Sequence, residues 1–424
     1  MDALGIGEML SGISGKILDA IFFDYRFLPV YVIIALVIKA KHNRFMEFEA
    51  GIYGQPRKTG RRIIEEVALT GLTAGFFISF IVVGAKITIH RETFSYLFII
   101  MVILAVINTR YACISYAGGI FAAAASIFNL GKEADIPGIL MLAAILHMLE
   151  GVLVFLFAGK DAVPVFIKHE EGIVGAFLMQ KFWAVPVVFA TFAAQTIGTA
   201  AAGQGALSPW PLLEPGAVMD GAYALGLDCV ISVLAYSDIA ISKTPEKRSR
   251  ETAFMLICYG AVLLAISIAS AHVPAFGLIG ALFAVAAHET IVLLGHYHER
   301  IGEPMFKAAR RGIRVLDVLP ETHAFNMGIK RGDVILSING KDVQTEKGID
   351  EALKDFPVFV WVDVLDAGGN RKTYEYRRYP EGLNCLGIIT VPREREVTYN
   401  VDRFGKLVIL KNLVERFMNA NRPA

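Results

Sequence analysis

Stretches of about 20 almost uninterrupted apolar residues recur along this 424-residue chain, the length an α-helix needs to cross the roughly 30 Å hydrocarbon core of a bilayer. The runs at 67–83, 94–107, 112–130, 136–158, 184–202, 217–236, 252–271 and 275–294 read as eight helical spans. A shorter apolar segment, 27–40, makes nine if it crosses rather than resting at the interface. With 55% hydrophobic and only 19% charged residues, the chain is too apolar for an ordinary soluble domain. A net charge of +1 gives no sign of nucleic-acid binding. Cys113, Cys229, Cys258 and Cys385 form no C-x-x-C pair, so neither a disulfide framework nor a zinc cage is implied. Residues 4–23 fit an amphipathic helix, and their acids Glu8 and Asp19 are unlike a secretory signal peptide.

Basic loops set the expected orientation, because they favour the cytoplasmic side. Lys41, Arg44, Arg57, Lys58, Arg61 and Arg62 precede the first clear run, and Lys243, Lys247, Arg248 and Arg250 follow the sixth. Six runs lie between the two clusters, an even number, so both fall on one side, the cytoplasm. Everything after the last run is then cytoplasmic, and the loop 204–216 is outside. Residues 163–182 contain two β-prone runs around Glu170-Glu171-Gly172 and predict a small cytoplasmic hairpin. Near the C-terminus, Phe404, Leu407, Leu410, Leu413, Val414 and Phe417 line one side of a predicted amphipathic helix within 396–424.

Between these lies the most specific pattern in the chain, ETHAFNMGIKRGDVILSINGKDV at 321–343. A short helix, 323–327, is stopped by Gly328, which suits a left-handed C-cap. Gly332 supplies a turn, 334–338 is β-rich, and Asn339-Gly340 is a strong two-residue hairpin signal. Thr345 is a candidate N-cap for a helix whose Ile349, Ala352, Leu353 and Phe356 recur at i, i+3, i+4 and i+7. Two strands follow, 358–365 and 373–379, around Ala367-Gly368-Gly369-Asn370. This order resembles a bacterial PDZ domain over 310–395, with Met327-Gly328-Ile329 and Gly332-Asp333-Val334-Ile335 carrying the likeness. Its carboxylate loop matches Cys385-Leu386-Gly387-Ile388, after rather than before the helix, which implies the permuted strand order of bacterial forms. The resemblance places a peptide groove between Ile388-Ile389-Thr390 and the 345–356 helix, with Ile349 and Leu353 on the helix side. The N–H groups of Leu386, Gly387 and Ile388 would receive a terminal carboxylate.

No catalytic constellation is complete. A zinc protease helix needs His-Glu-x-x-His, whose imidazoles one turn apart hold the metal. His288-Glu289 begins this motif, and Val292 stands where the second ligand belongs. His147 and Glu150 begin the inverted form, and Gly151 replaces its last His. The expectation is therefore no enzyme, no bound metal and no cofactor. Other ionisable or polar groups at membrane depth, Gln195, Asp220 and Asp228, are candidates for interhelical hydrogen bonds or, in a transporter, for a substrate path.

The whole arrangement, many spans and then one C-terminal PDZ domain, resembles the MinJ family of Gram-positive division-site scaffolds. Shorter likenesses are Phe27-Leu28-Pro29, the hairpin opening Val165-Phe166-Ile167-Lys168-His169, and Gln180-Lys181-Phe182-Trp183. The resemblance implies a plasma-membrane scaffold, enriched at septa and poles, that bridges DivIVA and MinD through its cytoplasmic PDZ domain. Homo-oligomer formation stays open. A transporter or channel with a regulatory PDZ domain is the alternative, and a degenerate intramembrane metalloprotease a third reading.

Overall fold

The computed structural model describes residues 3–23, 28–54, 57–85, 87–130, 135–170, 172–194 and 223–393. The loop 204–216, Gln195, Asp220 and the helix expected near the C-terminus lie outside them. Two N-terminal helices come first, α1 (Ala3–Phe22) and α2 (Leu28–Tyr53). Residues 28–40 of the expected apolar segment are thus the first part of one continuous helix that runs on through Lys41 and Arg44. Four apolar helices follow: α3 (Gly60–Gly84), α4 (Arg91–Ile107), α5 (Ile114–Phe128) and α6 (Ile136–Leu153), the last extended by a π-turn at Val154–Ala158.

Next come β1 (Val163–His169), β2 (Gly172–Ala194) and β3 (Tyr223–Ala240), then α7 (Pro245–His272) and α8 (Ala275–Ile301). Among the described residues, four helices are long and apolar enough to cross a membrane: α3, α6 with its π-turn, α7 and α8. The helices α4 and α5 are apolar but shorter.

The expected hairpin at 163–182 is present, with Val163 to His169 paired antiparallel to Leu178 to Gly172. The two expected helices at 184–202 and 217–236 are not. Their described parts are strands, continuously paired from Phe177↔Ala240 to Ala194↔Tyr223. Apolar length marks a buried segment but cannot separate helix from strand. The local chemistry does so here. Val185, Val187, Val188 and Thr191 are β-branched, as are Val230, Ile231 and Val233, and Pro186 would break a helix interior.

A sheet edge surrounded by apolar groups must find partners for its backbone. On β2 they come from α3. Gly71, Gly75 and Ser79 form a stripe four residues apart that lets the strand lie directly on the helix; a Cβ on Gly75 would come within 2.5 Å of the Pro186 carbonyl. Pro186 brings no N–H to this edge. Two residues on, Val188 N donates to Ser79 Oγ (2.9 Å), and then, just past the end of α3, Ala190 N donates to Ile87 O (3.3 Å) and Ala190 O accepts from Ile89 N (3.0 Å). The strand therefore runs the length of α3.

Charged contacts gather at the other end of α3. Lys58 pairs with Asp161 (3.0 Å) and Glu66 (2.7 Å), Lys181 also pairs with Asp161, and Arg57 reaches Glu49 and the carbonyls of Asp161 and Ala162. Burial opposes the charge on Asp161, but Lys181 and Lys58 outweigh it and hold the carboxyl below its usual range. At the same end buried Arg248 binds Asp238 (2.8 Å), and Glu299 accepts from Ile241 N (2.7 Å) and Ser242 N (2.8 Å). These contacts tie β3, α7 and α8 together. The two basic clusters therefore share one end of the helical layer, although two of the six runs counted between them are strands and not helical spans.

The C-terminal unit adds β4 (Phe306–Lys307), β5 (Ile313–Val318), α9 (His323–Met327), β6 (Val334–Ile338), β7 (Lys341–Asp342), α10 (Glu346–Leu353), β8 (Phe359–Leu365), β9 (Arg371–Arg377) and β10 (Ile388–Thr390). Its sheet runs β10-β5-β6-β8-β9, with β7 beside β6. Gly328 (φ 90°) caps α9 in the left-handed region, Asn339 and Gly340 (φ 50° and 77°) make the hairpin turn, and Thr345 caps α10 by accepting from Gly348 N. Phe356 is not core: α10 stops at Leu353, and Phe356 takes a left-handed φ of 50° and is exposed. Ile335 and Ile338 are both fully buried, because a bulge between Ile335 and Ser337 resets the alternation that would place them on opposite faces.

Candidate peptide-binding groove

Among the described residues β10 is paired on one side only, to β5, with Ile388↔Val318 and Ile389↔Asp317. Just ahead of it, Leu386 O accepts from Ala324 N (2.9 Å), and Gly387 O accepts from Leu319 N (2.9 Å). Because a trans peptide points its C=O and N–H in opposite directions, the N–H groups of Gly387 and Ile388 face away from these partners. In an antiparallel strand the C=O of Ile388 lies on the same edge as its N–H. The strand thus presents an amide-lined edge toward α10. Thr390 closes the far end, its hydroxyl donating to Glu346 Oε1 (2.6 Å) in the first turn of α10.

The predicted groove residues divide by role. Leu386, Ile349 and Leu353 are buried in the domain core, where they form the floor. Ile388 is half-buried against that same core, whereas Ile389 points the other way, against the cluster that contains Phe177, Phe306 and Leu316. Ile389 is therefore a docking residue and not a groove residue; successive strand side chains take opposite faces. Gly387 has φ 77°, and a Cβ there would collide with the side chain of Thr322. This glycine is needed to build the loop, before any ligand arrives. Glu346 was invisible to sequence reasoning, since an acid in a first helical turn is usually explained by the helix dipole alone.

The domain is fastened to the rest of the chain. Leu316 and Val391 join the same apolar cluster as Phe177 and Phe306, and β4 pairs with β2 at Val174↔Lys307. Asp317, almost fully buried, accepts from Tyr53 Oη (2.7 Å) and Arg331 Nε (2.6 Å). Arg331 also lies over the Phe177 ring (4.8 Å) and reaches Glu246 (3.5 Å). Burial and the neighbouring Asp317 carboxylate push the Tyr53 phenol well above its usual range, so it stays a donor.

Of the polar groups at membrane depth, His147, Glu150, His288 and Glu289 come together between α5, α6 and α8, whereas Asp228 lies on β3 opposite Phe189. Glu289 is engaged by Tyr116 Oη (2.5 Å) and by Arg110. Gly151 packs where a His would not fit: a Cβ there would lie 2.9 Å from Ala253 O on α7.

A strand order with the groove strand last, a left-handed glycine in the carboxylate loop and a helix beside the open edge define a PDZ-type domain carried by a layer of apolar helices. No protein-family model matches the chain, and no curated protein matches it. Among solved structures, the crystal structure of the PDZ domain of the SdrC-like protein from Listeria monocytogenes is similar, at 19% identity over 20% of this chain and 93% of that one, with a TM-score of 0.17.

Proposed function

We propose that the protein is a non-enzymatic membrane scaffold that recruits protein partners to the membrane through its PDZ groove. The observation that carries this reading is the edge of β10 that is unpaired among the described residues, with the Ile388 N–H and C=O turned toward α10 above an apolar floor. Such an edge accepts an extended segment as an added strand, and the N–H groups of Gly387 and Ile388 suit a terminal carboxylate. Glu346 on the rim favours a ligand with a donor side chain, Ser, Thr, Lys or Arg, opposite Thr390.

The groove sits on the end of the helical layer that carries the basic clusters, so the reading places it in the cytoplasm. The resemblance to the MinJ family extends the proposal to division-site selection, with DivIVA and MinD as the partners to be linked. A fluorescent fusion of the full chain tests it in cells. Enrichment at septa and poles, with displaced MinD when the gene is deleted, is the expected outcome; uniform membrane fluorescence and undisturbed MinD would refute the division-site role.

A further inference from the structure

The two incomplete zinc motifs of the sequence meet in space. His147 and His288 approach ring to ring with centroids 4.9 Å apart, although 141 positions separate them in the chain. Cys113, at the N-cap of α5, completes the group, its Sγ lying 3.1 Å from His147 Nε2. The three potential donor atoms of Cys113, His147 and His288 all lie within 4.8 Å of one another. Tetrahedral zinc, with Zn–S of about 2.3 Å and Zn–N of about 2.0–2.1 Å, sets such donors roughly 3.3–3.6 Å apart. Small side-chain rotations close the difference.

The surroundings are those of a ligand set. His147 Nδ1 lies 2.7 Å from the Ala143 carbonyl, and the tautomer that donates its Nδ1–H to this oxygen leaves Nε2 with a lone pair toward Cys113. Metal-bound imidazoles are oriented by such a hydrogen bond to their other nitrogen. His288 is 9% exposed, and its buried Nδ1 has no hydrogen-bond partner among the described residues, an expensive state for a polar atom in an apolar layer. The Glu150 carboxylate, one turn on along α6, stands 4.0 Å from His147 Nε2. Two imidazoles, a thiol and a carboxylate match the donor preferences of zinc rather than those of magnesium or calcium.

We propose that Cys113, His147 and His288, with Glu150 at the fourth position, bind a zinc-class divalent ion that ties α5, α6 and α8 together. Binding releases the Cys113 proton, so the thiolate and the Glu150 carboxylate together balance the charge of the ion. The site is structural. Glu289, which would be the base in a complete His-Glu-x-x-His helix, is held instead by Arg110 and Tyr116. Each motif alone is incomplete and Cys113 has no C-x-x-C partner, so the sequence by itself implies no bound metal.

The test uses the full chain in detergent, purified through a histidine-free tag, with Cys113 as its sole cysteine after Cys229→Ala, Cys258→Ser and Cys385→Ser. Loading with cobalt(II) should give stoichiometric binding, tetrahedral visible bands and a thiolate-to-cobalt absorption in the near ultraviolet. Zinc should displace the cobalt. Adding Cys113→Ser should remove the near-ultraviolet band, and His288→Asn should weaken retention at least tenfold. A cobalt-loaded protein without the thiolate band, or retention unchanged by both substitutions, overturns the proposal. The thiolate band in the Cys113-only chain decides the matter even if the further substitutions prevent folding.

Discussion

The Thr390 hydroxyl donates to Glu346 Oε1 across 2.6 Å, bridging the groove strand to the first turn of the helix beside it. A hydrogen bond to a charged group contributes about 1.5–3 kcal/mol. An incoming strand must release or replace it. Thr390→Val should therefore raise affinity at least about tenfold for C-terminal peptides that lack a donor opposite Thr390. Peptides selected on the wild-type chain from a displayed library, then titrated against both proteins, provide the measurement; weaker binding to Thr390→Val would mean that the hydroxyl serves the ligand instead.

Ile335 and Ile338 should be equally intolerant of truncation. Both are fully buried in the PDZ core, and removing such a side chain to Ala costs about 2–5 kcal/mol. That is a large fraction of a small domain's stability. Pulse proteolysis of the full chain, with cleavage sites located by mass spectrometry, should show cuts within 310–393 appearing at lower denaturant for either variant. A wild-type pattern for Ile338→Ala would contradict the bulged register of β6.

The helix–strand seam makes a separate prediction. Ser79→Ala leaves Val188 N without its acceptor, which costs about 1–3 kcal/mol. Gly75→Val drives a branched side chain into Pro186 and should abolish folding. Yield of monodisperse protein in detergent should fall in the order wild type, Ser79→Ala, Gly75→Val. If 184–194 were a helix, its amides would be satisfied internally and Ser79→Ala would be nearly silent.

How much of this was legible beforehand depends on the range over which each signal acts. The PDZ unit is written in short-range chemistry: the Gly328 cap, the Asn339-Gly340 turn and the Thr345 cap each sit where the chain predicts them. The strands at 184–194 and 223–236 are hidden in the sequence because apolar length alone does not separate helix from strand; Pro186 and the β-branched residues around it carry the distinction. Ile389 was assigned to the groove because the sequence cannot show that the opposite face of β10 is covered by Phe177 and Phe306. The Cys113, His147 and His288 cluster carries no local spacing at all. Only the packing of α5, α6 and α8 brings it together.

Topology can be checked independently. The basic clusters meet at one end of the layer, and β2 runs from there to the far end of α3. Reporters fused after Lys243 and after Ala424 should both report cytoplasm, and one at Pro211 should report the outer side. Cytoplasmic activity of the Pro211 fusion would invert or collapse this arrangement.

The central claim is that partners add a strand to the open edge of β10. Ile388→Pro tests it most directly, because the N–H it removes faces the groove and not β5, and proline is tolerated at such an edge position. Wild-type and Ile388→Pro chains would be crosslinked in cells, their captured partners quantified, and the PDZ fold of each checked by the same pulse proteolysis. The account predicts an unchanged proteolysis pattern together with at least a tenfold loss of the captured partners. Equal capture by a folded Ile388→Pro chain would contradict it and move the working surface to the hairpin of β1 and β2.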